Sequence, residues 1–398
     1  MASWRYIEFP ETIRRTTVGR ENQILSADIQ ATGRFPVVDQ GQAFISGYSD
    51  AVERVIGDDL PLVIFGDHTR CLKYVDFPFI LGADGTKVLK PEEDLFDAKF
   101  FYYALMSLDI PNRGYNRHFT LLKEKKVPRP EKDEQRKIAG VLGVVQRAIE
   151  QQERLLALTT ELKKSLLHKL FTEGLCGESQ KSTEIGPVPK SWDLVPCQDL
   201  CEMITVGIVV KPASHYVEKG IPAFRSFNVR EDHLVPYDLV YFSVTANETT
   251  LAKSKLRSGD VLVVRTGYPG TSCVVPKEYD GANCIDLVIV RPKARMIRSG
   301  FLSRFFNAPA GKSQAVAAKH GLAQQHLNVS AVKRTLVPVP SLEEQDEIDS
   351  ALATVQRKIA LITAKKRTLT ALFRTLLHQL MTAQIRVHDL ELPKLEDS

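Results

Sequence analysis

One stretch of the chain occurs twice. Val127–Leu175 and Val337–Ile385 lie about 210 residues apart and align without a gap, with roughly a third of their positions identical. The identities include Pro128/Pro338, Pro130/Pro340, Glu134/Glu344, Gln135/Gln345, Gln146/Gln356, Leu166/Leu376, Leu167/Leu377 and His168/His378. A period this long is not that of a solenoid. It means two copies of a whole module, each a globular part followed by one long helix.

Each copy opens with V-P-x-P, which holds the chain extended and places the helix start just after it. Acidic residues follow (Glu131, Asp133, Glu134; Glu343, Glu344, Asp346, Glu347), where the positive end of the helix dipole favours them. Apolar residues then recur at spacings of four and three: Ile138, Leu142, Val145 and Ile149 in the first copy, Ile348, Leu352, Val355, Ile359 and Ile362 in the second. These are the helix-pairing positions of a coiled-coil seam. A helix of roughly 40 residues spans about 60 Å, more than a small domain can bury, so each must pair with another long helix, and the other copy is the evident partner. Gln152, Thr159 and Lys366 interrupt the seam. They read as a frayed or stuttered segment, or as polar residues that fix register.

The 398 residues allow two or three domains, and a net charge of +5 permits nucleic acid as a partner without demanding it. The six cysteines (Cys71, Cys176, Cys197, Cys201, Cys273, Cys284) form no CxxC pair and have no histidine pair at zinc spacing. Free thiols, a cytoplasmic location and no bound metal are expected. No apolar run approaches the length of a membrane helix.

Residues 1–126 form a first globular part. Strands are expected at Phe35–Val38, Ala43–Ile45, Leu62–Phe65, Tyr74–Val75 with Phe77–Ile80, and Lys87–Leu89. A helix is expected at Leu95–Leu108, whose aromatic residues suit core packing. Residues 127–175 carry the first long helix, and 176–190 are a linker, with Gly174–Lys190 too polar to pack well. Residues 191–336 form a second globular part, with strands opening at Trp192 and Leu194, at Ala223–Phe227 with Arg225 inside, within Leu256–Thr266 and at Asn283–Arg291. A helix is expected at Gly300–Phe306. Residues 337–385 carry the second long helix and 386–398 a tail. The fold class is α/β: two mixed α/β domains and two long antiparallel helices in a coiled coil.

Two loops combine glycine with hydrogen-bond donors at matching places in the two parts, Gly66–Arg70 and Gly267–Thr271. The first suits phosphates or base edges, or else is a tight turn with solvated charges, and the second sits at the matching place with Arg and Thr in or beside it. Each part also has a polar, basic segment further on, Asn112–His118 and Ala317–Gln325.

Catalytic signatures are missing. Ala310-Gly311-Lys312-Ser313 resembles the end of a phosphate-binding loop, but the first required glycine falls on Phe306. No nucleophile elbow, zinc-protease, deaminase, methyltransferase or dinucleotide motif appears. Glu124-Lys125-Lys126 fits a nuclease fragment whose acidic partner is not identifiable. The weight therefore moves to binding.

The V-P-x-P-x-x-x-E-Q-x-x-I openings, Ile185–Trp192, Leu256–Gly267 and Val63–Asp76 together resemble the specificity subunit of type I restriction–modification systems, over nearly the whole chain. The resemblance implies two target-recognition domains, each reading one half of a split, asymmetric double-stranded DNA site. It implies helices that set the spacing and dock two methyltransferase subunits, with motor-nuclease subunits joining for restriction. Such a chain is not itself an enzyme and needs no cofactor, because the methyltransferase subunits carry S-adenosylmethionine. Rival readings are a coiled-coil scaffold that binds only proteins, and a stand-alone nuclease.

Base contacts are expected from His68, Thr69, Arg70, Lys73, Arg117 and His118 in the first domain. In the second they are expected from Arg225, Arg265, Thr266, Tyr268, Lys319, His320, Gln324 and Gln325. Arginine and glutamine offer bidentate contacts to guanine and adenine.

Overall fold

The computed structural model describes residues 4–83, 85–114, 116–320 and 326–387, with 318–320 described by backbone alone. Its contacts divide into two compact units, Met1–Glu153 with Ala364–Ser398, and Arg154–Thr363. In chain order the first domain contains β1 (Arg5–Glu8), β2 (Ile13–Arg14), β3 (Gln23–Ile24), β4 (Phe35–Val38), β5 (Gly47–Ser49), β6 (Leu62–Gly66), β7 (Leu72–Val75), β8 (Ile80–Gly82), β9 (Thr86–Pro91), α1 (Ala98–Ser107), α2 (Phe119–Lys123) and β10 (Lys126–Arg129). The long helix α3 (Lys132–Glu173) follows. Then come β11 (Gln180–Thr183), β12 (Gly186–Pro189), β13 (Asp193–Pro196), α4 (Cys197–Leu200), β14 (Cys201–Val206), β15 (Tyr216–Val217), β16 (Ile221–Phe224), β17 (Val229–Arg230), β18 (His233–Leu234), β19 (Val240–Phe242) and α5 (Val244–Glu248). The rest is β20 (Val261–Val264), β21 (Ser272–Val274), β22 (Asn283–Cys284), β23 (Leu287–Pro292), α6 (Ser299–Asn307), α7 (Pro309–His320), α8 (Val329–Arg334), β24 (Leu336–Val339) and the second long helix α9 (Leu342–Met381).

The two domains share a topology that their sequences hide. The first has an antiparallel sheet in the order β2-β9-β6-β7, and the second has β14-β23-β20-β21. A second small sheet in each contains a parallel pair between corresponding strands, β4 with β8 and β16 with β22, and that of the first domain adds a second, β3 with β8. A two-stranded ribbon joins the start of each domain to the segment entering its long helix, β1 with β10 and β13 with β24. The V-P-x-P segments are therefore strands: Pro128 faces Tyr6 and Pro338 faces Leu194.

Within each unit the two long helices run antiparallel. In the first, Ile138 and Leu142 near the start of α3 share a core with Phe373, Leu380 and Met381 near the end of α9, and with α1. In the second, Leu167, Leu170 and Phe171 near the end of α3 share a core with Ile348 and Leu352 near the start of α9, and with α6. Val145 and Ile149 border the first core, Val355 and Ile359 are half-buried, and Ile362 is buried. The seam is thus a three-way junction of two helices and a domain, which is why its apolar spacing holds best at the helix ends. Helix α3 stops at Gly174, whose φ of +66° suits the left-handed position just past a helix end. Of the polar seam residues, Gln152 is buried, and Lys366 pairs with Glu153 at 2.9 Å.

The residues that follow V-P-x-P explain the repeat's strongest identities. Gln135 is fully buried; its Oε1 accepts from the Asp97 backbone N–H (2.7 Å), and its Nε2 donates to the carbonyls of Leu95 and Pro130. Gln345 does the same with Arg298 N–H (2.8 Å), Met296 and Pro340. Each glutamine satisfies backbone groups at the start of its domain's helix, α1 or α6, that would otherwise be orphaned. Beside it, Glu134 accepts from the Trp4 indole N–H (3.3 Å) and Glu344 from Trp192 (3.1 Å). The acidic residues do more than meet the helix dipole.

Several expectations are corrected. The strand expected at Ala43–Ile45 forms at Gly47–Ser49, where Tyr48 bridges Gln30. The stretch Phe77–Ile80 becomes a strand only from Ile80, because Phe79 instead bridges Ile56. Asn283–Arg291 is two strands, broken where Asp286 adopts a φ of +54°. Arg225 lies past the end of β16. The stretch Gly174–Lys190 does pack: β11 and β12 form a hairpin, closed by a Thr183 hydroxyl bond to the Gly186 carbonyl, that buries Val188.

Candidate nucleic-acid interface

In the first domain the hairpin tip between β6 and β7 gathers three loops through one buried carboxylate, Asp67. Its side chain accepts from Phe119 N–H (2.8 Å), its N–H donates to the Gly85 carbonyl (2.7 Å), and its carbonyl accepts from His118 N–H (2.8 Å). The buried His118 ring lies with Nδ1 2.9 Å from that same carbonyl, and its Nε2 accepts from Arg113 N–H (3.2 Å). The two bonds together require the proton on Nδ1. The tip and the end of the Asn112–His118 segment are therefore joined through Asp67.

Most of the residues expected to touch bases here are committed elsewhere. The Thr69 hydroxyl donates to the Gln40 carbonyl (2.5 Å), and Arg70, at φ +61°, donates to the Ile110 carbonyl (2.8 Å). Lys73 is 4% exposed, donates to the Ala43 carbonyl (2.5 Å) and faces Asp39 at 3.5 Å. Burial pulls its pKa below the usual lysine range, against the opposing pull of Asp39. His68 is half-buried, with its N–H on the Gln40 side chain (3.1 Å). Lys73 and His118 are thus corrected to internal tethers that shape the surface, while Arg117 is exposed together with Arg113 and Asn112. Gly66 is required by this crowding, since a Cβ there would lie 2.1 Å from Thr69 Oγ1.

In the second domain the corresponding tip, between β20 and β21, turns on Gly267 (φ +79°) and Gly270 (φ +86°). A Cβ on Gly270 would come within 3.0 Å of Ala315 on α7. Arg265 donates to the Leu327 carbonyl (3.0 Å) and pairs with Asp286, which Thr266 also faces at 3.4 Å. Arg225 stacks on Phe227 at 4.5 Å and pairs with Asp238 at 3.1 Å. Tyr268 is 83% exposed at the apex. Lys319 and His320 close helix α7, but their side chains fall outside the described residues, as do Gln324 and Gln325 entirely.

Between this apex and the β17–β18 hairpin lies a cleft of about 620 Å³, lined by Phe227, Arg230, Thr266, Tyr268 and Lys312 among others. A second cleft of about 570 Å³ opens beside it, reaching Lys164, His233 and again Arg230 and Lys312. An exposed aromatic beside several cations suits stacking on a base and contact with phosphates. Sequence reasoning missed Arg230, His233, Lys164 and Lys312. The last stood in the rejected Ala310–Ser313 motif, which forms the first turn of α7 with Lys312 paired to Glu231. Among the described residues no cluster of carboxylates, histidines and cysteines could hold a metal, and Lys126 of the nuclease-like triplet pairs with Glu8 at 2.8 Å. No helix of the described residues is long and apolar enough to cross a membrane.

Comparison with known proteins gives one consistent answer. Residues 189–371 match the Type I restriction modification DNA specificity domain. The chain is 24% identical, over 67% of its length, to the type I restriction enzyme MjaVIII specificity subunit of Methanocaldococcus jannaschii. It is 23% identical, over 74% of its length, to the EcoBI specificity subunit of Escherichia coli. The matches span 63% and 66% of those two relatives, just under two thirds of each. The fold matches the type I restriction–modification S subunit of M. genitalium, with a TM-score of 0.64 and 18% identity, over 95% of this chain and 96% of that one. The second half of the chain thus carries the type I restriction modification DNA specificity domain, and the chain has, along nearly its whole length, the fold of a solved type I restriction–modification S subunit.

Proposed function

We propose that the protein selects a two-part DNA sequence for a type I restriction–modification complex and leaves the chemistry to its partners. The observation that carries this is the pair of domains with one topology and unlike hairpin tips. A duplicated frame with different surfaces is suited to reading two different half-sites. In the first domain Arg113 and Arg117 rim a stiff, internally bonded tip. In the second Tyr268 stands at the apex and Arg230 and Lys312 line the cleft behind it. Arginine and lysine supply salt-dependent phosphate contacts, and the tips supply base contacts.

The long helices set the spacing between half-sites. At 1.5 Å per residue α3 runs about 60 Å, nearly two turns of DNA at about 34 Å each. They also dock two methyltransferase subunits, to which motor-nuclease subunits add for restriction. Leu155, Leu158 and Leu162, on one stripe of α3, are 45%, 60% and 57% exposed, an apolar face suited to a partner protein.

The test is DNA binding by the chain with its methyltransferase partner as salt is raised. Affinity should fall steeply, whereas a salt-independent or absent interaction supports the scaffold reading. Inserting one heptad into both helices should change the accepted spacer and leave both half-sites alone. Altered half-sites would end the ruler idea.

A further inference from the structure

The β17–β18 hairpin holds Arg230 at the meeting of the two clefts, and its turn is anchored in an unusual way. Arg230 pairs with His233 across the turn Glu231-Asp232, and Asp232 has a φ of +71° that a non-glycine residue seldom adopts. The Asp232 side chain is 2% exposed and is reached by two hydrogen-bond donors, Lys163 and Asn307, and by the Arg304 cation. Lys163 of α3 approaches at 2.5 Å, Arg304 of α6 at 2.5 Å and Asn307 of α6 at 3.0 Å. Lys163 also donates to Gln356 of α9 (2.8 Å), and Arg304 also pairs with Asp349 of α9 (3.1 Å). Asp232 N–H is fixed on the Ser272 carbonyl (3.0 Å). A turn that borders both clefts is thus tied by buried charge to both long helices.

We propose that Lys163 and Arg304, through Asp232, are positioning residues for base reading by the second domain. They touch no DNA. They fix where the hairpin places Arg230 against the cleft behind Tyr268, so the long helices govern how strictly this half-site is read. The proposal rests on the DNA-reading function above. The geometry favours a positioning role over simple cohesion. A buried ion cluster contributes little net stability compared with apolar packing of the same volume, but it tolerates only a narrow range of arrangements. The apolar core of this unit, with Phe171 against Phe301 at 5.0 Å, already holds the helices to the domain.

The experiment reads the methylation motif in a host carrying the complete system, with Lys163→Met in this chain. Tyr268→Ala, at the apex itself, identifies which half of the motif the second domain reads. Lys163→Met should raise methylation of sites with one mismatch in that half by about tenfold relative to the cognate site, the size of one base-pair discrimination. The other half should stay strict. Gln356→Met removes only one neutral partner of Lys163, so it preserves folding where Lys163→Met does not. It should relax the same half about threefold, the worth of one hydrogen bond. A uniform fall of methylation with an unchanged motif would make Lys163 merely structural and overturn the proposal. So would an unchanged motif at full methylation. If the unmodified chain leaves no two-part mark at all, the DNA-reading function itself fails, a distinguishable result.

Discussion

The two units meet their long helices at the same places in the repeat, with opposite chemistry. In the second unit the joint is Lys163, Arg304 and Gln356 around Asp232. In the first, Phe373 stands at the repeat position of Lys163, and Tyr103 of α1 takes the part of Arg304. Tyr103 packs on Phe373 at 6.0 Å and donates to Gln146 (2.8 Å), the repeat partner of Gln356. Burial pushes the phenol of neighbouring Tyr102 up to about 12, and that of Tyr103 higher still, so both stay protonated and neutral. The frame conserves a joint, while its chemistry is free to be aromatic or ionic. An aromatic joint tolerates small shifts of a ring, whereas an ion cluster that links Asp232 to Lys163, Arg304 and Asn307, and these on to Gln356 and Asp349, does not. The two domains are therefore held with different tolerance to the same kind of scaffold.

This difference can be broken by mutation. The largest effect is expected from Arg304→Met, which leaves Asp232 and Asp349 short of a buried cation. It should cost the second unit about 3–5 kcal/mol in urea unfolding. Next come Gln135→Ala and Gln345→Ala, each of which orphans buried backbone groups at a helix start. Each should cost about 3 kcal/mol, and the two values should agree, because this clamp is the same in both units. A clear inequality would show that the clamps are not equivalent. The smallest effect is expected from Tyr103→Phe, about 1 kcal/mol for one hydrogen bond, independent of salt. A loss as large as that of Arg304→Met would erase the contrast between the joints.

The helices were legible in the sequence because a coiled-coil seam is a local, periodic pattern, and because the second copy repeats Glu134 and Gln135 as Glu344 and Gln345. The order of the hairpin tips was legible for the same reason. What was hidden depends on direction. Lys73 and Arg117 are both cations near a hairpin tip or polar loop, yet one, in β7, points to the Ala43 carbonyl inside the domain and the other is exposed to solvent. Nothing in residue type separates them. The hairpin at Gln180–Pro189 was obscured by its polar composition, although its Gly186 marks the turn. The ion cluster was invisible because Lys163, Asp232, Arg304 and Gln356 come from four separated stretches, each an ordinary solvated charge or amide when read alone.

The central claim is that one chain reads two different half-sites on one duplicated frame. Sequencing adenine methylation across the genome of a host with and without this gene tests it most directly. The account predicts the loss of one interrupted mark whose two halves differ. An unchanged methylome, or a lost mark that is palindromic or uninterrupted, would contradict it.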